Sequence, residues 1–164
     1  MTEAALIIGY GNVLRMDDGL GWHIAERLAD DPRLTGVTVL GRHQLTPELA
    51  LDISEAGLVV LVDARLGPPA GSFHVARVEP LGSHAAPMTH HLGPAGLVDL
   101  AIDLYGRAPD VFLVSVGVES VEAGDRLTPT VEAAVPQVIE AVVELIQARP
   151  DDGQLGHAAG LVHA

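Results

Sequence analysis

The 164-residue sequence predicts one α/β domain, a three-layer α/β/α sandwich with a mostly parallel five-stranded sheet that carries an antiparallel edge strand. Short apolar runs, typical of strands buried on both faces, alternate along the chain with stretches of helical spacing. Apolar residues make up 48% of the chain, which suits a globular protein with a packed core. We expect this domain to span residues 1–149, and residues 150–164, where hydrophobic periodicity stops, to form a disordered tail.

Five segments are predicted to be strands. In chain order they are Ala5–Ile8, Val37–Leu40, Leu58–Val62, Ser72–Val78 and Val111–Val116. The third gives the strongest signal, because five consecutive apolar residues are closed by Asp63. The fourth follows a glycine- and proline-rich turn and alternates apolar with polar residues, which is typical of an edge strand.

Four segments have helical spacing, three between these strands and one after the last of them. They are a helix with Leu20, Ile24 and Leu28 on its apolar face that ends before Pro32, a short helix from Pro47 to near Gly57, a helix over His91–Tyr105, and a long helix whose apolar stripe runs from Val131 to Ile146. Asp17 or Asp18 is a candidate N-cap of the first helix. Because strands and helices alternate, we expect helices on both faces of a mainly parallel sheet.

Charge and composition exclude several classes of function. The chain has 22 acidic and 9 basic residues, a formal charge of −13, so we expect neither nucleic-acid nor membrane-surface binding. Cysteine is absent, which excludes disulfides, thiolate metal sites and cysteine nucleophiles. No apolar segment is long enough to span a membrane, and the N-terminus lacks the features of a signal peptide. A soluble, monomeric, cytoplasmic protein is the expectation.

Three polar spots fall where parallel sheets bind ligands, at the carboxyl ends of strands. They are the glycine-rich segment Gly9–Gly21 with its two aspartates, Asp63, and the pair His90 and His91. Carboxylate and imidazole donors without sulfur suit divalent metals such as nickel, zinc or manganese. Three protein ligands would leave coordination positions open for a substrate group or water.

Each spot also has a simpler interpretation. The two aspartates of the first loop can be helix caps, Asp63 can hold the following loop, and both histidines can face solvent. A dinucleotide fingerprint would need glycine where Leu14 stands, so nucleotide binding has little support. Ser115 follows an apolar run, but no G-x-S-x-G elbow surrounds it, which argues against a serine hydrolase.

Five motifs in register resemble the hydrogenase maturation endopeptidases. The first, from Gly9 to Gly21, reads G-x-G-N-x-L-x-x-D-D-G-x-G. The others are Val-Asp-Ala at 62–64, His-x-Leu-Gly at 90–93, Gly-Val-Glu-Ser at 117–120 and Leu-Thr-Pro-Thr-Val at 127–131. The resemblance covers residues 5–148 and implies a twisted, mostly parallel sheet flanked by helices on both faces.

The resemblance implies an endopeptidase that removes the C-terminal extension of a nickel–iron hydrogenase large-subunit precursor after nickel insertion. It implies Asp18, Asp63 and His90 as the residues that contact the nickel, which the substrate presents; other divalent metals can occupy such a site. His91 is the alternative to His90. Either the metal or a carboxylate can activate the attacking water.

One segment departs from the pattern of many relatives. Residues 41–49 read Gly-Arg-His-Gln-Leu-Thr-Pro-Glu-Leu where these relatives have an Asp-Gly-Gly-Thr-type stretch, so His43 or Gln44 is a candidate for substrate contact. Two other classes of function remain open. One is a non-enzymatic, nickel-dependent checkpoint or chaperone that binds the precursor, and the other is a nucleotide-binding protein.

Overall fold

The structure, a computed structural model, describes residues 3–82, 92–148 and 162–163. Its strands are β1 (Ala5–Tyr10), β2 (Thr38–Arg42), β3 (Leu58–Arg65), β4 (Phe73–Arg77), β5 (Asp110–Gly117) and β6 (Val162–His163). Its helices are α1 (Leu20–Ala29), α2 (Leu49–Glu55), α3 (Pro94–Tyr105) and α4 (Pro129–Gln147), with 3₁₀ turns at Met16–Gly19 and Pro32–Leu34. None of these helices is long and apolar enough to cross a membrane.

The strands form one sheet in the order β2-β1-β3-β5-β4-β6. The neighbours among β2, β1, β3 and β5 pair in parallel, and β4 pairs antiparallel with β5. The prediction of a mostly parallel five-stranded sheet with an antiparallel edge strand is therefore confirmed. The two-residue β6 pairs antiparallel with the outer side of β4. Residues 149–161 lie outside the described residues, so the predicted disordered tail stays a prediction.

Strands β1 and β3 extend further at their carboxyl ends than the apolar runs predict. β1 continues to Tyr10 and β3 to Arg65, so Asp63 lies within its strand and does not follow it. The third helix begins at Pro94, after Gly93 in extended conformation, and His91, where the sequence predicts its start, lies outside the described residues. Proline fits the first turn of a helix, since its missing N–H would be unpaired there in any case.

The sheet separates two apolar clusters, one on each face. Leu58, Val60 and Val62 of β3 pack in the cluster that contains residues of α1 and α4. Val59 and Leu61 pack in the other cluster, with residues of α2 and α3. Since side chains alternate along a strand, Asp63 lies on the α2/α3 face, above Leu61. The core thus fixes the face on which a polar residue emerges at the end of β3.

Candidate functional site

The loop between β1 and α1 packs against the end of β1 because its glycines allow very close contact. A Cβ added to Gly9 would lie 1.9 Å from the carbonyl oxygen of Gly21, and one added to Gly11 would lie 1.8 Å from that of Asp18. Any side chain at these positions would displace the backbone. The chain itself therefore fills the space over these glycines. The G-x-G pattern serves backbone packing, and this argues against the nucleotide-binding interpretation.

Asp17 ties this loop to the loop between β5 and α4. Its fully buried carboxylate accepts hydrogen bonds from the N–H groups of Glu119 and Ser120, both 3.0 Å from Oδ2. It also accepts hydrogen bonds from the N–H of Thr128, 2.7 Å from Oδ1, and from the Thr128 hydroxyl. So many donors satisfy the buried carboxylate within the protein. Asp17 is a structural residue of the fold.

The predicted capping of α1 by an aspartate is wrong. The N-cap position of α1 is occupied by Gly19, which has no side chain, so neither aspartate caps the helix. A 3₁₀ turn over Met16–Gly19 lies between the loop and the helix and directs both aspartates elsewhere. Met16 has a φ of +45°, which is uncommon for a residue with a side chain, and its N–H donates to the carbonyl of Gly124. The contact with the β5–α4 loop thus helps to hold the turn.

Asp18 is placed differently from its neighbour. It is half-buried, and its Oδ2 accepts a single hydrogen bond, from the N–H of Asn12 at 3.2 Å. Its Oδ1 has no hydrogen-bond partner among the described residues. A partly exposed carboxylate with a free oxygen can bind a ligand, which Asp17 cannot do.

Asp63 lies near Asp18 at the end of β3. Its Oδ1 accepts a hydrogen bond from the N–H of Ala64 at 2.7 Å, and the Tyr10 hydroxyl donates a second one. Burial, together with the negative charge of Asp18, raises the pKa of Asp63 to about 6 in spite of these two bonds. Burial and the nearby Asp63 also raise the pKa of Tyr10, so its hydroxyl stays protonated and can donate.

The two acids place like charges close together at the carboxyl ends of β1 and β3. Like charges repel, so a bound cation would stabilise the Asp18–Asp63 pair. Within residues 3–82 and 92–148, no three His, Cys, Asp or Glu side chains come together to hold a metal ion. His90 and His91, the predicted third ligand and its alternative, lie outside the described residues. Leu92 next to them packs against the α2/α3 cluster, on the face that also carries Asp63.

The loop after β2 presents two further predicted residues. His43 and Gln44 are both exposed. The His43 ring stacks on Trp22 of α1, with ring centroids 5.0 Å apart. The indole packs over the backbone of Gly41, where an added Cβ would be in van der Waals contact with it at 3.4 Å. Both exposed residues lie just after the carboxyl end of β2.

Sequence reasoning missed Tyr10 as part of this site. Gly9 pairs with Val62 in the β1–β3 register, so the next residues along the two strands, Tyr10 and Asp63, stand side by side on one face. The signal that could have found it is the period of two along β1, continued past Ile8.

Comparison with known proteins gives one coherent set of relatives, although no protein-family model matches the chain. The chain is 30% identical over 150 residues to the hydrogenase 2 maturation protease of Escherichia coli. The aligned region covers 87% of this chain and 90% of that protein. The hydrogenase 2 maturation peptidase of a Thaumarchaeota archaeon matches at 27% identity with a TM-score of 0.68, over 88% of this chain and 99% of the other. HybD, the [NiFe] hydrogenase maturation protease of Thermococcus kodakarensis, matches with a TM-score of 0.70 over 87% and 99% of the two chains, but its 23% identity shows the fold alone.

Proposed function

The chain belongs to the hydrogenase maturation proteases, and from this we propose that it removes the C-terminal extension of a nickel–iron hydrogenase large-subunit precursor after nickel insertion. The observation that carries the proposal is the Asp18–Asp63 pair, two half-buried carboxylates at the carboxyl ends of the parallel strands. Ligands of parallel α/β sheets bind at this edge. We propose that the protein acts in the cytoplasm as a monomer.

We propose that nickel carried by the precursor binds between Asp18, Asp63 and His90. Carboxylate and imidazole are suitable ligands for nickel, and the chain has no thiolate that would compete with them. Asp18 supports the assignment because one of its oxygens has no partner among the described residues. His90 precedes Leu92, which lies on the same face as Asp63, and its neighbour His91 is the alternative ligand.

This ligand set would make binding depend on the metal. A nickel-loaded precursor brings a positive charge to the two carboxylates, whereas a metal-free precursor would cover them and leave their repulsion uncompensated. The enzyme would then select precursors that have completed nickel insertion. Other divalent metals bind the same donor types, so we expect them to occupy the site when nickel is absent.

Hydrolysis adds water across the scissile peptide bond. The water oxygen bonds to the carbonyl carbon, the C–N bond breaks, and the leaving nitrogen takes a proton. Two roles for the metal are consistent with the site: nickel polarises the carbonyl or activates the water, or it only positions the peptide while a carboxylate accepts the proton of the water. For His43 and Gln44 we propose contact with the precursor and no catalytic step.

The experiment that tests the function is incubation of the purified protein with a nickel-loaded large-subunit precursor, followed by mass spectrometry of the products. Loss of a C-terminal fragment from the precursor supports the endopeptidase. Stable binding of the precursor with an unchanged mass would support the non-enzymatic checkpoint instead. Stabilisation of the protein by nucleotides, without any effect of divalent metals, would favour the nucleotide-binding alternative.

Variants then test the residues. We expect Asp18→Asn, Asp63→Asn and His90→Ala each to lower the rate of processing by about 100-fold or more while the protein stays folded. Asp103→Asn is the matched control, because Asp103 is an exposed aspartate on α3. A folded variant that cleaves at a near-normal rate would remove that residue from the site.

A further inference from the structure

A row of polar residues continues from the acid pair across the α2/α3 face of the sheet. Asp63 of β3 pairs with Ser115 of β5, and Ser115 pairs with His74 of β4. In the next row Arg65 pairs with Gly117, whose N–H donates to the carbonyl of Ser72. Side chains two residues apart on a strand share a face, so Arg65 and His74 both lie on the face of Asp63. The carboxyl edge thus presents basic side chains as well as the two acids.

Two nitrogens in these rows are buried without a hydrogen-bond partner among the described residues. They are Nε of Arg65 and Nδ1 of His74, two of the three such side-chain nitrogens among the described residues. Buried polar groups are nearly always hydrogen-bonded, and an unpaired one lowers stability. Among the described residues, the Arg65 guanidinium makes a long hydrogen bond, from Nη2 to the Ser72 hydroxyl at 3.3 Å. An acceptor supplied by a ligand would complete this arrangement.

Arg65 also differs from the other described arginines, because it is half-buried and they are exposed. Arg27, Arg33, Arg77 and Arg107 each form an ion pair with an acidic side chain. Arg65 is half-buried and forms no ion pair with any residue of the described ranges. Residues 83–91 and 149–161 lie outside those ranges; the first stretch contains no Asp or Glu, and the second contains Asp151 and Asp152. In a chain of charge −13, a half-buried arginine without an acidic partner among the described residues is unusual.

We propose that Arg65 and His74 form a subsite for a carboxylate group of the precursor's C-terminal segment, beside the acid pair. The proposal rests on the proposed function, because it names what the same cleft binds next to the metal. A guanidinium binds carboxylates through paired N–H donors, and an imidazole N–H adds a further donor. A carboxylate near two aspartates would be repelled without such a cation, so the subsite would decide which precursors are cleaved. The carboxylate is either an acidic side chain or the terminal α-carboxylate.

The test measures processing kinetics with a nickel-loaded precursor that the wild-type protein cleaves. We expect Arg65→Gln to raise KM about tenfold or more with kcat nearly unchanged, and His74→Gln to raise it less, since charge-assisted hydrogen bonds are the stronger ones. Arg107→Gln, which removes an ion-paired arginine at the opposite edge of the sheet, is the matched control and should leave KM unchanged. An unchanged KM in folded Arg65→Gln would overturn the proposal.

Altered precursors test the same subsite without changing the enzyme. Replacing the acidic residues of the precursor's C-terminal segment with amides should raise KM for the wild-type protein, with no further increase in Arg65→Gln. If extension or amidation of the C-terminus has this effect instead, the α-carboxylate is the ligand. If neither change affects KM, the subsite is wrong although the protein is a peptidase. If the wild-type protein cleaves no nickel-loaded precursor, the proposed function itself fails.

Discussion

The charged residues at the two edges of the sheet differ in whether they form ion pairs. At the amino edge, where the parallel strands begin, Arg107 forms an ion pair with Glu3, and Arg77 forms one with Asp110. At the carboxyl edge, Asp18 and Asp63 face each other as like charges, and Arg65 has no ion-pair partner among the described residues. The fold pairs these charges at the amino edge, whereas Asp18, Asp63 and Arg65 at the carboxyl edge have no partner of opposite charge among the described residues.

The same contrast exists between two adjacent residues. Asp17 accepts hydrogen bonds from three backbone N–H groups and one hydroxyl, and Asp18 accepts one. One aspartate therefore supports the loop that presents the other. A site that must bind a cation needs a carboxylate with little internal compensation, and such a carboxylate can be held in place only by groups that are themselves well satisfied.

The largest effect we predict on stability is that of Asp17→Asn. The amide nitrogen would face backbone donors in a fully buried position, so we expect a loss of about 3–5 kcal/mol in the free energy of unfolding. Asp18→Asn should cost less than about 1 kcal/mol, because only one hydrogen bond is affected. Urea unfolding followed by circular dichroism measures both. Equal losses in the two variants would contradict the distinction between a structural and a ligand-binding aspartate.

A smaller effect of opposite sign is predicted for Asp63→Asn. Because the pKa of Asp63 is raised to about 6 in the folded protein, the folded state binds a proton more tightly than the unfolded chain, and stability falls as the pH rises between about 4 and 6. Above that range the ionised carboxylate costs up to about 3 kcal/mol. In metal-free protein with a chelator, Asp63→Asn should therefore be more stable than wild type at pH 7.5.

The control for this prediction is the same measurement at acid pH. Below pH 4 Asp63 is protonated in both states, so the gain from Asp63→Asn should disappear there. A gain that is equal at both pH values would show that packing, and not the charge of Asp63, is responsible. A gain at pH 7.5 together with lost processing would mean that the site reduces stability in favour of ligand binding.

The layers of the fold are predictable because each strand and helix has its own local pattern of apolar residues. The run Leu58–Val62 predicts a buried strand, and the stripe from Val131 to Ile146 predicts the helix α4 that covers it. The predicted ends of the strands are less accurate at the carboxyl edge. β3 continues through Asp63 to Arg65 because pairing with β5 supplies hydrogen bonds that a hydrophobic pattern does not report.

The site is less predictable, since it depends on contacts between distant parts of the chain. Asp17 and Asp18 are identical neighbours, and the sequence pattern alone does not distinguish them. What separates them is Thr128, 111 positions away, which donates only to Asp17. Tyr10 likewise stands beside Asp63 through the β1–β3 register; the period of two along β1 predicts its face but not its neighbour on β3. The ligand set of Asp18, Asp63 and His90 stays a prediction from resemblance.

The smallest effect is predicted at the amino edge, for Arg107→Gln. Arg107 lowers the pKa of Glu3, so their ion pair stabilises the protein at neutral pH, and this contribution disappears as Glu3 is protonated in acid. Both side chains are about half exposed, and surface pairs of this kind contribute little. We expect a slightly lower urea midpoint at pH 7, no difference in high salt, and processing within about twofold of wild type. The same substitution at Arg65 should instead raise KM. A large loss of processing in stable Arg107→Gln would show that the amino edge also contacts the precursor, and the division of the sheet into a structural and a ligand-binding edge would then be wrong.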